Sequence, residues 1–254
     1  MPKIEIIPCL SDNYAYLIID EQTKKNTLVD APEAGPILDY LKQNSLNLDF
    51  ILLTHHHPDH IDGVEELRRQ YDVKVVGAKR DKHRLPKLDI EVEEGNIINV
   101  GTVEFQIIDV DGHTIGHIAF ISLNEKIAFT GDSLMVMGCG RLFEGTPLKM
   151  FESLEKFKQF PRDMKIYSGH EYTKSNIEFA LSIDNSNEDL KAVQLKTNES
   201  LSRNEPSIPS TLEEEFNTNP FLRQDDELIV KALNMADLDS SERFAKIRSL
   251  KDNF

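Results

Sequence analysis

Four of the eight histidines fall within six residues, in the run Thr54-His55-His56-His57-Pro58-Asp59-His60. Imidazole nitrogens and a carboxylate gathered this densely are donors for borderline divalent cations. His55 and His57 alternate, so extended backbone aims both at one ion and turns His56 the other way, into the domain. Asp59 and His60 then offer a hard oxygen and a nitrogen to a second ion. The plain alternative is a hydrophilic loop that happens to hold histidine, and the density of the run weighs against it. One loop cannot complete two coordination shells. Three segments each offer one further donor: Gly112-His113-Thr114, Gly131-Asp132-Ser133 and Gly169-His170-Glu171. Each glycine permits a sharp turn and close approach. Alone, each segment reads as a turn. Together, after successive strands, they nominate His113, Asp132 and His170. His83 lies in a charged loop and faces solvent, and His117 reads as a core or supporting histidine.

These donors need rigid elements behind them. Phe50-Ile51-Leu52-Leu53 is a short apolar run, as a buried strand would be, and it leads directly into the histidine loop. Val103–Val110, Lys126–Thr130 and Lys165–Ser168 read as strands ahead of the three single donors. Further strands are expected at Lys3–Pro8, Tyr14–Ile19, Thr27–Val29, Lys74–Gly77 and Ile118–Leu123. Helical spacing marks Gly35–Gln43, Gly63–Tyr71 and Lys149–Phe160. After Thr173 strand-like runs vanish. Helices are expected at Ser175–Ile183, Asn187–Asn198, Asp225–Met235 and Ser241–Lys251, separated by Pro206, Pro209 and Pro220. The expectation is a mixed α/β catalytic domain over residues 1–172 and a small helical domain over 173–254.

The formal charge of −15 disfavours nucleic acid and anionic membrane surfaces as partners. No apolar run reaches the length of a membrane span, and the first residues lack a signal-peptide core. Cys9 and Cys139 are too few for a disulfide framework and are read as packing residues in a reducing cytoplasm. Cations do gather at the end: Arg243, Lys246, Arg248 and Lys251 stand against Glu242 and Asp252. Composition alone favours a solvated helix face there.

The runs Thr-His-His-His-Pro-Asp-His, Gly-His-Thr, Gly-Asp-Ser and Gly-His-Glu-Tyr resemble those of the metallo-β-lactamase superfamily. Within it, nearly the whole chain resembles the glyoxalase II, or hydroxyacylglutathione hydrolase, family. That narrower likeness rests on Asp12-Asn13-Tyr14, on Gly138 to Gly145, on Gly169-His170-Glu171-Tyr172-Thr173, on Asn219-Pro220-Phe221-Leu222-Arg223 and on the final run Arg248 to Phe254.

The resemblance implies an α/β fold, an αββα sandwich followed by a small all-helical C-terminal domain. It gives His55, His57 and His113 to one metal ion, Asp59, His60 and His170 to another, and Asp132 to both. It implies two divalent ions, zinc first, with iron or manganese as alternatives. Asp59 and Asp132 would also serve the chemistry. Arg141, Arg248 and Lys251 would hold the carboxylates of a glutathione thioester, and Tyr172 its peptide, so the basic tail becomes a ligand site. Arg248 and Lys251 are three apart and share a helix face. The expected reaction is hydrolysis of an S-(2-hydroxyacyl)glutathione, typically S-D-lactoylglutathione, by a monomeric cytoplasmic enzyme of methylglyoxal detoxification. Three positions depart from some relatives: Arg141 where some carry Lys, Phe143 where some carry Tyr, and Asp111 where a Pro is often found. A sulfur dioxygenase of the same superfamily, using one iron, is the nearest rival. A non-catalytic glutathione or metal sensor and a nuclease stand behind it. The seven ligands argue against the sensor, and the charge argues against the nuclease.

Overall fold

The computed structural model describes residues 2–254. The chain forms two compact units. One takes the chain up to Asp109 together with Gly116–Gly131, and the other takes Val110–Ile115 with Asp132–Phe254.

In the first unit, six strands form one sheet in the order Lys3–Cys9, Asn13–Ile19, Asn26–Val29, Phe50–Leu52, Lys74–Ala78, Ile90–Val92. The first three pair antiparallel and the rest join in parallel. Strands Asn13–Ile19 and Asn26–Val29 are buried almost throughout, because both sheet faces are covered. On one face Ala15, Leu17, Leu28 and Ile51 pack in a core cluster with Ile37 and Leu41 of helix Ala34–Gln43 and Leu67 of helix Val64–Gln70. Tyr16, on the other face, meets Phe129 at 5.4 Å between ring centroids. Phe129 belongs to a meander of Ile97–Val100, Val103–Asp109, Ile118–Ser122 and Ile127–Gly131, whose Phe105 also packs on Phe120 and Phe129. The parallel strands Asn26–Val29 and Phe50–Leu52 end at the same edge. Asp30 and the histidine loop leave from there, at the carboxyl ends where open α/β sheets place ligands.

The second unit holds a short hairpin of Leu134–Met135 and Gly138–Cys139, and a pair of strands, Lys165–Ser168 and Ser210–Thr211. Its helices are Pro147–Glu155, Thr173–Ile183, Glu188–Ser202, Leu212–Thr218, Glu227–Ala232 and Ser240–Asp252. Phe151, Phe244, Phe221 and Phe179 form a chain of rings through its core, with neighbouring centroids 5.6 to 6.2 Å apart. Capping boxes at Thr211/Glu214 and Asp239/Glu242 fix two helix starts. Among the described residues no helix is long and apolar enough to cross a membrane.

The structure adds elements that periodicity did not reveal. Strands Ile90–Val92 and Ile97–Val100 are short and partly exposed, so their sequences carry no buried alternation. Ser210–Thr211 pairs as a strand beside the prolines read as breakers. The helix expected over Asp225–Met235 contracts to Glu227–Ala232, since Asp226 caps its start and Asn234 takes a left-handed conformation at its end. Proline at the first position starts helix Pro147–Glu155 two residues before the expected Lys149.

The ring chain predicts where stability resides. Phe244→Ala, at a fully buried ring, should lower the unfolding free energy by about 3–5 kcal/mol. Leu195→Ala, at a site 66% exposed, should stay within about 0.5 kcal/mol of the parent. Denaturant midpoints read both. Equal shifts would contradict the placement of the core.

Candidate metal centre

In the first unit the histidine loop is fastened before it offers any donor. Asp30 is buried and follows its strand in a left-handed conformation, with φ 57°. Its carboxylate accepts from the Thr54 backbone N–H and from Thr54 Oγ1, both at 2.8 Å, and from His60 Nδ1 at 2.7 Å. Thr54 Oγ1 in turn lies 3.1 Å from His55 Nδ1. With its proton given to Asp30, the threonine hydroxyl accepts from His55. Both Nδ1 atoms are therefore donors, and each Nε2 carries the lone pair a metal needs. His117 stacks on the His55 ring at 4.6 Å and 12°. Its neighbour Gly131 has φ +49°, and a Cβ there would lie 2.6 Å from Thr54 Oγ1 and 2.8 Å from His117 Cε1. Glycine before Asp132 thus answers a steric requirement.

Pro58 starts the single helical turn Pro58–Ile61, with His57 at its N-cap, and that turn brings Asp59 and His60 together. Asn13 holds Asp59 through its carbonyl at 2.9 Å and its Oδ2 at 3.1 Å. Donor atoms of His55 and His57, of His55 and His60, and of Asp59 and His60 lie within 4.8 Å of one another. His56 turns away, as expected, and its Nδ1 meets the buried carboxylate of Asp81 at 2.9 Å. His83 is exposed and His117 is buried.

In the second unit the three single donors converge. One oxygen of Asp132, Oδ2, lies 3.4 Å from His113 Nε2 and 3.1 Å from His170 Nε2. All three side chains are at most 6% exposed. His113 Nδ1 donates to the Arg141 carbonyl at 2.8 Å, so its Nε2 carries the lone pair. His170 stacks face to face on Tyr172, with centroids 4.7 Å apart. Gly140 makes the convergence possible: a Cβ there would lie 2.0 Å from the Asp132 carbonyl oxygen and 2.9 Å from His113 Nδ1. A lone pair on Nε2 facing a carboxylate oxygen is repulsive unless a cation or proton lies between them. This donor set, imidazole nitrogens around shared carboxylate oxygen with the opposite ring nitrogen of His113 tied down, suits divalent metal.

The expected cations differ among themselves. Arg141 is exposed. The Lys251 ammonium is half-buried, donates to Ser175 O and Oγ at 2.9 and 3.1 Å, and lies 5.3 Å from the Phe179 ring centre. Burial, and then the positive charges of Arg248 and Arg141, push it down to about 8. Arg248 is only 3% exposed. Its guanidinium reaches Cys139 O at 2.8 Å and Asp252 at 2.9 and 3.1 Å, and it lies over the Phe221 ring. Cys139 is a partner of that arginine as well as a packing residue; burial pushes its thiol up. Tyr172 is 40% exposed, and Phe143, 65% exposed, sets its ring 5.2 Å from His113.

Sequence reasoning missed Asp30, Asn13 and Asp81. Asp30 had one legible signal, an acidic residue immediately after the strand Asn26–Val29. Asn13 lay in the run Asp12-Asn13-Tyr14 that carries the family likeness, but its contact with Asp59, 46 residues away, had no local sign; Asp81, 25 residues from His56, left no local pattern.

Comparison with known proteins places this geometry. Residues 11–170 match the metallo-β-lactamase superfamily, and residues 171–254 match the hydroxyacylglutathione hydrolase C-terminus. The chain is 49% identical to the hydroxyacylglutathione hydrolase of Ruegeria pomeroyi, over 99% of both chains. It is 44% identical to that of Pelagibacter ubique, over 99% of this chain and 100% of the other. Among solved structures, it resembles ETHE1 from Myxococcus xanthus with a TM-score of 0.68 at 24% identity, covering 98% of this chain and 90% of that one. It resembles TTHA1623 in a di-iron-bound form with a TM-score of 0.62 at 24% identity, covering 87% and 100%. The BLEG-1 B3 metallo-β-lactamase gives 0.67 at 21% identity, covering 87% and 99%. These structural likenesses establish the metallo-β-lactamase fold, with its mixed α/β sheets and a C-terminal helical region. On sequence and fold together, the chain belongs to the hydroxyacylglutathione hydrolase family of the metallo-β-lactamase superfamily.

Proposed function

We propose that this protein hydrolyses S-(2-hydroxyacyl)glutathione to glutathione and a 2-hydroxy acid, with S-D-lactoylglutathione and D-lactate as the typical pair. One observation carries the chemistry: Asp132 turns a single buried oxygen toward the Nε2 atoms of both His113 and His170. Full-length identity of 41 to 49% to proteins named hydroxyacylglutathione hydrolase supports the substrate. In this reading His55, His57 and His113 serve one ion, Asp59, His60 and His170 the other, and Asp132 both. The two divalent ions, zinc with iron or manganese as alternatives, would supply an acidified water and polarise the thioester carbonyl.

The chain's own residues do the rest. Asp30 and the Arg141 carbonyl keep His60 and His113 in the tautomer whose Nε2 faces the reaction. Asp59, steadied by Asn13, orients the attacking water. Arg141 and Lys251 hold the glutathione carboxylates, Tyr172 contacts the peptide, and Arg248 adds its charge from beneath. Phe143 offers an apolar edge and no hydroxyl. The leaving thiolate has a parent pKa of about 8.5, so it departs without a dedicated acid. We propose residues 1–172 as the catalytic domain, which also lends Arg141 and Tyr172 to the substrate, and 173–254 as the helical substrate-binding domain. Its setting in this reading is the cytoplasm, as a monomer in methylglyoxal detoxification, which the free Cys9 and Cys139 suit.

Two outcomes are expected. Asp132→Ala should cost far more bound metal, and far more S-D-lactoylglutathione turnover, than His56→Ala, whose ring bonds Asp81 instead. Metal analysis and a thioester assay on the two variants read this, and equal losses would sink the ligand assignment. Lys251 gives a pH signature. Its ammonium loses its proton near pH 8, so KM for the glutathione thioester should rise as pH passes upward through that value. Lys251→Arg, charged throughout, should flatten the rise. An unchanged KM profile in that variant would remove Lys251 from the binding site.

A further inference from the structure

The run Asn219-Pro220-Phe221-Leu222-Arg223 carries the family likeness, yet none of its side chains is among the proposed ligands. Its surroundings give it a task. Four residues earlier, Glu215 is fully buried. Its carboxylate accepts from Ser210 Oγ at 2.6 Å, from the Met137 backbone N–H at 3.0 Å and from Asn219 Nδ2 at 2.8 Å. The same Asn219 amide reaches Gly138 O at 3.0 Å and Met135 O at 3.4 Å. Asn176 donates to Val136 O at 3.0 Å, and Arg248 to Cys139 O at 2.8 Å.

Each successive residue from Met135 to Cys139 therefore gives one backbone group to a side chain more than 35 positions away. The hairpin they form has only two paired positions on each strand, and its turn residue Met137 is left-handed at φ 57°. A hairpin of that size is marginal by itself, and its buried carbonyls need donors. Its two ends are functional. It begins two residues after Asp132 and ends at Gly140-Arg141, where the Gly140 N–H donates to Ser133 O at 3.2 Å. The Arg141 carbonyl there orients His113. Phe221, from the same run, lies beneath the Arg248 guanidinium with 4.9 Å to the ring centre.

We propose that Asn219, held in place by the buried Glu215, is a positioning residue that clamps the Met135–Cys139 hairpin and so fixes Arg141 for glutathione and its carbonyl for His113. The inference rests on the assignment of Arg141 to a glutathione carboxylate. Glu215 is fitted to orient the clamp. It uses both oxygens, and a glutamine could keep the Asn219 and Met137 contacts through its carbonyl while Ser210 turns to accept from its amide.

The test combines amide exchange with a mutant cycle on the metal-loaded enzyme. Asn219→Ala should speed amide exchange across residues 134–142 and raise KM for S-D-lactoylglutathione by about ten-fold, the effect of one lost charge-assisted contact. In an Arg141→Ala background the same change should add almost nothing to KM, and Glu215→Gln, the conservative replacement, should restore most of what Glu215→Ala loses. If Asn219→Ala does not fold, Asn219→Ser is measured in the same way, since its hydroxyl cannot span both carbonyls. Unaltered exchange over residues 134–142, or a KM effect fully additive with Arg141→Ala, would overturn the clamp. Arg141→Ala leaving KM unchanged while Asn219→Ala still speeds exchange would overturn the Arg141 assignment, and with it the step from clamp to substrate.

Discussion

An imidazole lone pair and a carboxylate oxygen repel at short range, and a buried site cannot screen them with water. Asp132 nevertheless brings one oxygen to within 3.4 Å of His113 Nε2, whose Nδ1 donates to the Arg141 carbonyl, and the same oxygen lies 3.1 Å from His170 Nε2. Positive charge between them makes this arrangement favourable, and the proposed divalent ions would supply it. Much nearby structure works to hold the donors against that repulsion. The Arg141 carbonyl fixes one ring, Tyr172 covers another, and Gly140 lets the backbone pass where no side chain would fit. Asp30 does the corresponding work for His60 and, through Thr54, for His55. Such partners are part of a metal site because they choose which nitrogen carries the lone pair.

The candidate donors were legible in the sequence because a dense donor cluster leaves local marks. His55 and His57 alternate on extended backbone, Asp59 and His60 share one helical turn opened by Pro58, and three glycines precede the isolated donors. The strand Phe50–Leu52 behind the histidine loop was legible because its residues are apolar without interruption. Illegible were the partners that act across long separations. Asn219 meets the hairpin from over 80 residues away and Arg248 from 109, and no local pattern encodes either contact. Short exposed strands such as Ile97–Val100 escaped for another reason: they bury too little to impose alternation.

The C-terminal cations show why charge and type do not give role. Arg243, Lys246, Arg248 and Lys251 looked equivalent as a basic tail. Arg243 and Lys246 bond Met235 O and Leu233 O, Arg248 is buried on Cys139 O and Asp252, and Lys251 bonds Ser175 O beside Phe179 and Phe254. Burial of a guanidinium against a backbone carbonyl couples its charge to the hairpin's geometry. On the proposed assignment, substrate recognition would depend on the fold of the hairpin as much as on the charges themselves.

In the proposed reaction, thioester hydrolysis depends on metal occupancy. The direct measurement is a titration of zinc into metal-free protein, with bound metal and S-D-lactoylglutathione hydrolysis followed in the same sample. Activity should rise with occupancy and level off at about two ions per chain, as a shared-carboxylate site requires. Full activity in the metal-free protein, or a plateau at about one ion, would contradict it.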